Sequence, residues 1–278
     1  MKRFTIFFVI LLSIGFTMNT VAQKTPEALG WKLAVGSYSF RLFTFEESLE
    51  KADSLGLKYI EMATSQKIGG GIEGTTRFTM DKMTRKAILK MAAKHGIKII
   101  SYGVITGNDD DEWEAIFEFA KDMGIETILS EPKLEQLDFV EKLANKYKIN
   151  LAIHNHAKPS FYWNPEVVLD AINGRSQRIG SCADIGHWVR SGLDPIECMK
   201  MLEGRIIEFH FKDMNEKTMK AKTVIWGTGI CDIKGMLQEM KRQNFKGEIG
   251  IEYESNWENN TPEIRESIKN FISYTKEL

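Results

Sequence analysis

Eight short apolar runs, each followed by an amphipathic segment, restrict what this chain can fold into more than any other feature. The runs are Leu33–Tyr38, Tyr59–Met62, Ile97–Tyr102, Thr127–Leu129, Ile149–Ile153, Ile179–Ala183, Ile206–Phe209 and Glu248–Glu252. Helical patterns follow them at Glu46–Leu55, Asp81–His95, Asp110–Met123, Leu134–Tyr147, Pro165–Ile172, Asp194–Leu202, Asp232–Gln243 and Pro262–Tyr274. Gly56, Gly96 and Gly124 close three of the helices, where a left-handed cap is wanted. Continuous apolar strands alternating with helices argue for a parallel sheet covered on both faces. Eight such units in about 250 residues have the dimensions of a closed (β/α)8 TIM barrel. A doubly wound open sheet is the competing α/β architecture, but the Gly-rich phosphate fingerprint after the first strand is missing.

The N-terminus stands apart from the repeat. Lys2 and Arg3 precede an apolar run from Phe4 to Phe16, and Thr20, Val21 and Ala22 offer small residues ahead of Gln23. That pattern predicts a secretory signal peptide over residues 1–22, followed by one catalytic barrel domain over 23–278. The expectation is an exported, periplasmic protein with no membrane insertion once the leader is cleaved. Removing Lys2 and Arg3 and no acid moves the net charge from −1 to −3, so no electrostatic footprint for nucleic acid is expected. Cys182, Cys198 and Cys231 sit inside apolar patterns without paired metal spacing and are expected as core thiols.

A barrel places its chemistry at the C-terminal ends of the strands. The fourth expected strand ends at Ser130-Glu131-Pro132, the fifth at His154-Asn155-His156, and the sixth runs into Asp184 and His187. The seventh ends at His210, Lys212 and Asp213, the eighth at Glu252 and Glu254. Singly, each has a plain explanation: Asp184 as a helix cap, Glu131 as a solvated turn residue, His210 as a hydrogen-bonded core histidine, Glu254 as a salt-bridge partner. Jointly, five consecutive strands deliver charged or imidazole groups to one rim, and gathering carboxylates there is costly without a cation. Glu131, Asp184, His210 and Glu252 are therefore the candidate metal ligands. Their oxygen-rich, thiolate-free set favours one divalent ion, Mn first, with Mg, Co or Zn open.

These motifs resemble the xylose isomerase-like sugar isomerase/epimerase superfamily. The resemblance rests on His154-Asn155-His156, Asp184 through His187, Gly204-Arg205 followed by His210 through Asp213, and Ile251 through Glu254, with Trp226 through Asp232 similar to its Gly-x-Gly-x-x-Asp segment. It implies that Glu131, Asp184, His210 and Glu252 bind one metal, that the two glutamates double as acid/base groups, and that His187 assists substrate binding. It further implies epimerase, isomerase or dehydratase chemistry, and for exported relatives lyase or hydratase chemistry on 3-keto-glycosides.

A small-molecule keto-sugar fits that chemistry: a chelating metal stabilises an enediolate while a carboxylate takes the α-proton. Glu131 and Glu252 are the candidate acid/base residues, with His187, His156 and Lys212 positioning hydroxyls or assisting proton transfer. His154, His156, Trp163, Trp188 and Trp226 are candidate substrate contacts, with Trp257 a further loop aromatic. The Gly69-Gly70-Gly71 loop is a candidate lid. Rival readings are a non-catalytic sugar-binding barrel and a metal-dependent DNA-repair endonuclease of the same fold. Association into homo-oligomers stays open.

Overall fold

The computed structural model describes residues 25–278, so the expected leader lies outside the described residues. Among the described residues there are twelve strands: β1 Trp31–Gly36, β2 Tyr59–Ala63, β3 Lys67–Gly69, β4 Ile72–Thr75, β5 Lys98–Gly103, β6 Thr127–Ser130, β7 Asn150–His154, β8 Ile179–Asp184, β9 Ile206–Phe211, β10 Asp213–Met214, β11 Thr223–Val224 and β12 Gly247–Ile251. Eight of them close a parallel barrel in the order β1-β12-β9-β8-β7-β6-β5-β2, with β1 pairing back onto β2. These eight are the eight runs expected from the sequence.

The helices are α1 Phe45–Ser54, α2 Lys82–Lys94, α3 Asp110–Met123, α4 Leu137–Tyr147, α5 Pro165–Ile172, α6 Ile185–Arg190, α7 Pro195–Met201, α8 Ile233–Arg242 and α9 Thr261–Lys276. Their starts are chemically fixed: Thr44 and Glu47 form a capping box on α1, and Asp81, Asp109 and Asp232 cap α2, α3 and α8. Gly56, Gly96 and Gly124 have φ of +74°, +65° and +68°, as their position after a helix requires.

Helix α6 and the two small ladders β3–β4 and β10–β11 were not expected. Helix α6 follows β8 without a loop. Residues 67–75 form the antiparallel hairpin β3–β4, and Gly69-Gly70-Gly71 is its turn, with φ of +85°, +60° and +75°. The glycines thus reverse the chain between two paired strands, where the sequence suggested an open lid.

Alternation along the strands separates two environments. Outward residues meet the helices: Phe209 lies edge-on to Phe245 at 4.9 Å and Phe211 to Trp226 at 4.9 Å, all buried. Each such ring contributes roughly 1.5–3 kcal/mol by leaving water. Inward, Leu129, Ala152 and Cys182 form a small apolar cluster beneath His154 and Asp184. Cys182, Cys198 and Cys231 are all free and buried, in line with the expectation from their spacing.

Candidate metal centre and active-site cavity

Strand β9 lies between β8 and β12, and its register sets His210 beside Asp184 on one side and Gly250 on the other. Glu252 follows two residues beyond Gly250 and so returns to the same inner face. Asp184, His210 and Glu252 each offer a ligand atom within 4.8 Å of the others, and all three are buried. His210 Nδ1 is 3.2 Å from Glu252 Oε2 and 3.7 Å from Asp184 Oδ2. The opposite nitrogen, Nε2, is 2.7 Å from Glu61 Oε2. With Nε2 engaged with Glu61, Nδ1 is left facing the two carboxylates.

Asp184 also caps α6: its Oδ1 accepts from the His187 backbone N–H at 2.8 Å. The plain explanation and the functional one are both met, each by a different oxygen.

Lys212 stands beside the group, fully buried. Its ammonium lies 2.6 Å from Asp184 Oδ2, 2.6 Å from Glu252 Oε2 and 2.9 Å from Glu254 Oε1. It donates hydrogen bonds to Asp184 and Glu254 and pairs electrostatically with Glu252. Burial pulls the ammonium down, but Asp184, Glu252 and Glu254 outweigh it and hold it well above the ordinary lysine range. Lys212 thus stands as a counter-charge to the three carboxylates. Glu254 is tied to Lys212 and to Arg190, the latter at 2.9 Å.

Glu131 takes a different neighbourhood from the other three expected ligands. Its carboxylate accepts from His156 Nδ1, lies 3.3 Å from His154 Nδ1 and accepts from Ser160 Oγ at 2.8 Å. His154 Nε2 in turn is 3.5 Å from Asp184 Oδ2, so the imidazole stands between Glu131 and the buried trio. Burial pushes the Glu131 carboxyl up, and the hydrogen bonds from His154 and His156 overcome it, leaving an anion at neutral pH. Burial likewise raises Glu252 and Asp184, and the imidazoles and Lys212 around them drive both far below the carboxylate range. Burial pushes His187 down to about 3, so its ring is neutral.

A cavity of about 380 Å³ opens above these groups, lined by Glu252, Glu254, His154, His156, His187 and Tyr38 among others. The His156 side chain is 50% exposed there. The tryptophans are placed otherwise than expected. Trp226 is fully buried between Phe211 and Phe271, and Trp188 is 1% exposed in the core, so neither can meet a substrate. Their large apolar surface is better satisfied beneath the loops than on them. Trp163 is half-buried under the Lys158 ammonium, 3.9 Å from its ring centre, and does not line the cavity. Trp257 lies edge-on to Tyr38 at 5.8 Å, behind the cavity wall.

With this geometry in hand, residues 49–274 match the model of the xylose isomerase-like TIM barrel family. The chain belongs to this family. An uncharacterised protein from Parabacteroides distasonis has the same fold at a TM-score of 0.72 and 36% identity, over 86% of this chain and 97% of that one. The IOLI protein, solved with a bound zinc atom, superposes at a TM-score of 0.68 with 18% identity, over 88% and 98% of the two chains. Inosose dehydratase from Salmonella typhimurium is 25% identical over 162 residues, 50% of this chain and 54% of the relative. The chain thus spans about half the length of the curated relatives it matches.

The donor set of this xylose isomerase-like barrel fits a divalent ion. His210 Nδ1 is buried and makes no hydrogen bond, an orphan that a metal would satisfy. Three carboxylates, Asp184, Glu252 and Glu254, face two fixed cations, Lys212 and Arg190, leaving the ring negative. Glu61, which orients His210, escaped the sequence reading. The signal was present: a lone acid inside the apolar run Tyr59–Ala63 of a strand buried on both faces.

Proposed function

We propose that the protein is a divalent-metal-dependent enzyme acting on an unphosphorylated keto-sugar or 3-keto-glycoside. It would move a proton on and off the carbon beside the carbonyl, as an epimerase or isomerase, or as a lyase or hydratase when a β-substituent leaves. The observation that carries this reading is the unpartnered His210 Nδ1 facing Asp184 and Glu252 on the floor of a sugar-sized cavity.

Asp184, His210 and Glu252 would hold the ion, with Mn preferred for an oxygen-rich set and Mg, Co or Zn able to replace it. When bound, the ion supplies a Lewis acid for the substrate carbonyl and the neighbouring hydroxyl. Glu131 fixes the tautomer of His156: accepting from Nδ1, it leaves Nε2 as the free nitrogen of a half-exposed ring on the cavity wall. That pairing makes His156, oriented by Glu131, the candidate proton carrier. Neutral His187 is suited to hydrogen-bond a hydroxyl without exchanging a proton. The leader expected at residues 1–22 would deliver the protein to the periplasm, which favours sugars without phosphate.

Incubating Mn-loaded protein with keto-sugars, 3-keto-glucosides included, in D2O and following them by NMR tests this. Deuterium should enter at the α-carbon, and Glu131→Gln and Glu252→Gln should each lower the rate by at least about 10²-fold. Sugar binding without any exchange would leave a binding protein in place of an enzyme.

A further inference from the structure

Below His210, the inner wall of the barrel carries a second acidic layer that the proposed chemistry does not use. Glu61 on β2, Glu208 on β9 and Glu248 on β12 are 2%, 0% and 5% exposed. Glu208 and Glu248 are partners in the β9–β12 register, and Glu208 precedes His210 by two residues on the same face. Ser101 Oγ donates to Glu248 Oε1 at 2.8 Å. Ligand atoms of Glu61, Glu208 and His210 lie within 4.8 Å of one another.

The decisive atoms are those of Glu208. Both carboxylate oxygens are buried and neither has a hydrogen-bond partner. Oε1 is 4.0 Å from His210 Nε2, a nitrogen already engaged with Glu61. Among the described residues, no Lys or Arg forms an ion pair with Glu61, Glu208 or Glu248. An uncompensated buried carboxylate costs several kcal/mol, so the layer demands positive charge from elsewhere. Gly250, between Glu248 and Glu252 on the inner face, borders this layer: a Cβ there would stand 3.1 Å from the Phe209 carbonyl oxygen, 3.5 Å from His210 Cδ2 and 3.8 Å from Glu61 Oε2. There is access: Glu61 lines the upper cavity, and Glu248 lines a cavity of about 420 Å³ at the opposite mouth of the barrel.

We propose that Glu61 and Glu208, with Glu248 beside Glu208 in the β9–β12 register, form a second cation site inside the barrel, directly beneath the first, taking an oxygen-coordinated divalent ion of the Mg²⁺, Mn²⁺ or Ca²⁺ class. The donors are the carboxylate oxygens, since His210 Nε2 is already engaged with Glu61.

The test is a metal count. Full-length mature protein is equilibrated with Mn²⁺, and in parallel with Mg²⁺ and Ca²⁺, then desalted and analysed by inductively coupled plasma mass spectrometry. Wild type should hold two equivalents with at least one of these ions, Glu208→Gln one, Asp184→Asn one and the double variant none. Manganese EPR of wild type should show coupling between the two ions, absent in either single variant. The proposal is overturned if wild type saturates at one equivalent with all three ions, or if Glu208→Gln still binds two. One equivalent, lost in Asp184→Asn and kept in Glu208→Gln, would remove the second site and leave the first standing. Wild-type stoichiometry decides the matter even should Glu208→Gln fail to fold.

Discussion

Two layers of carboxylates line the same barrel and are solved in opposite ways. In the upper ring, Asp184, Glu252 and Glu254 are compensated by Lys212, Arg190 and the imidazoles, and burial is overruled so that all three ionise. In the lower layer, Glu208 and Glu248 meet no ammonium or guanidinium, and burial wins. Depth is similar and the chemical group is the same. What differs is whether a neighbouring strand projects a cation inward: β9 carries Glu208 and His210 at successive inward positions and Lys212 follows just past its end, so this stretch supplies an acid to the lower layer and a cation to the upper. Charge state in a barrel interior is thus set level by level, and the two layers respond to different substitutions.

Breaking the upper ring should give the largest effect. Lys212→Met leaves three carboxylates facing one arginine, and urea unfolding of the metal-free protein should show a loss of roughly 3–5 kcal/mol. A loss below about 1 kcal/mol would mean the ammonium does not hold the ring together. The next effect sits at the boundary between the layers. Glu61→Gln removes the carboxylate that orients His210, and titration at the first centre should find affinity lowered roughly 10–100-fold, with Glu61→Asp recovering part of it. Unchanged affinity would show that His210 is oriented by its strand alone.

The third effect is a slope. A carboxyl whose pKa rises from 4.5 unfolded to about 8 folded is protonated more readily in the native state. Its contribution is fully present below pH 4.5 and is lost as pH climbs through the folded value. Metal-free wild type should therefore lose stability between about pH 5 and 8, and Glu248→Gln should flatten that slope. A slope identical in the variant would place the proton elsewhere.

Much of this was legible in the residues. The eight runs gave the barrel because apolar periodicity is a local property, and the rim residues followed because a barrel fixes where strands end. Three things were not legible. Glu61, Glu208 and Glu248 looked like ordinary strand acids, since periodicity tells which residues share a face but not whether that face is wet. For Glu208 the two-residue spacing to His210 was the available clue. Trp188 and Trp226 were assigned to the cavity because loop residues near a site look exposed, whereas their bulk is buried beneath those loops. For Glu131 the strand end told its place on the rim but not its neighbours: His154 stands between it and the buried trio.

Asp184 carries a consequence for how the centre can be altered. One of its oxygens starts a helix and the other faces the ion position. Starting a helix admits serine, threonine, asparagine or aspartate, while holding a hard cation admits aspartate or glutamate. The two alphabets share one letter, so drift or redesign at this position must first release one of the two demands. Asparagine, which keeps the helix start and drops the charge, is the substitution that separates them.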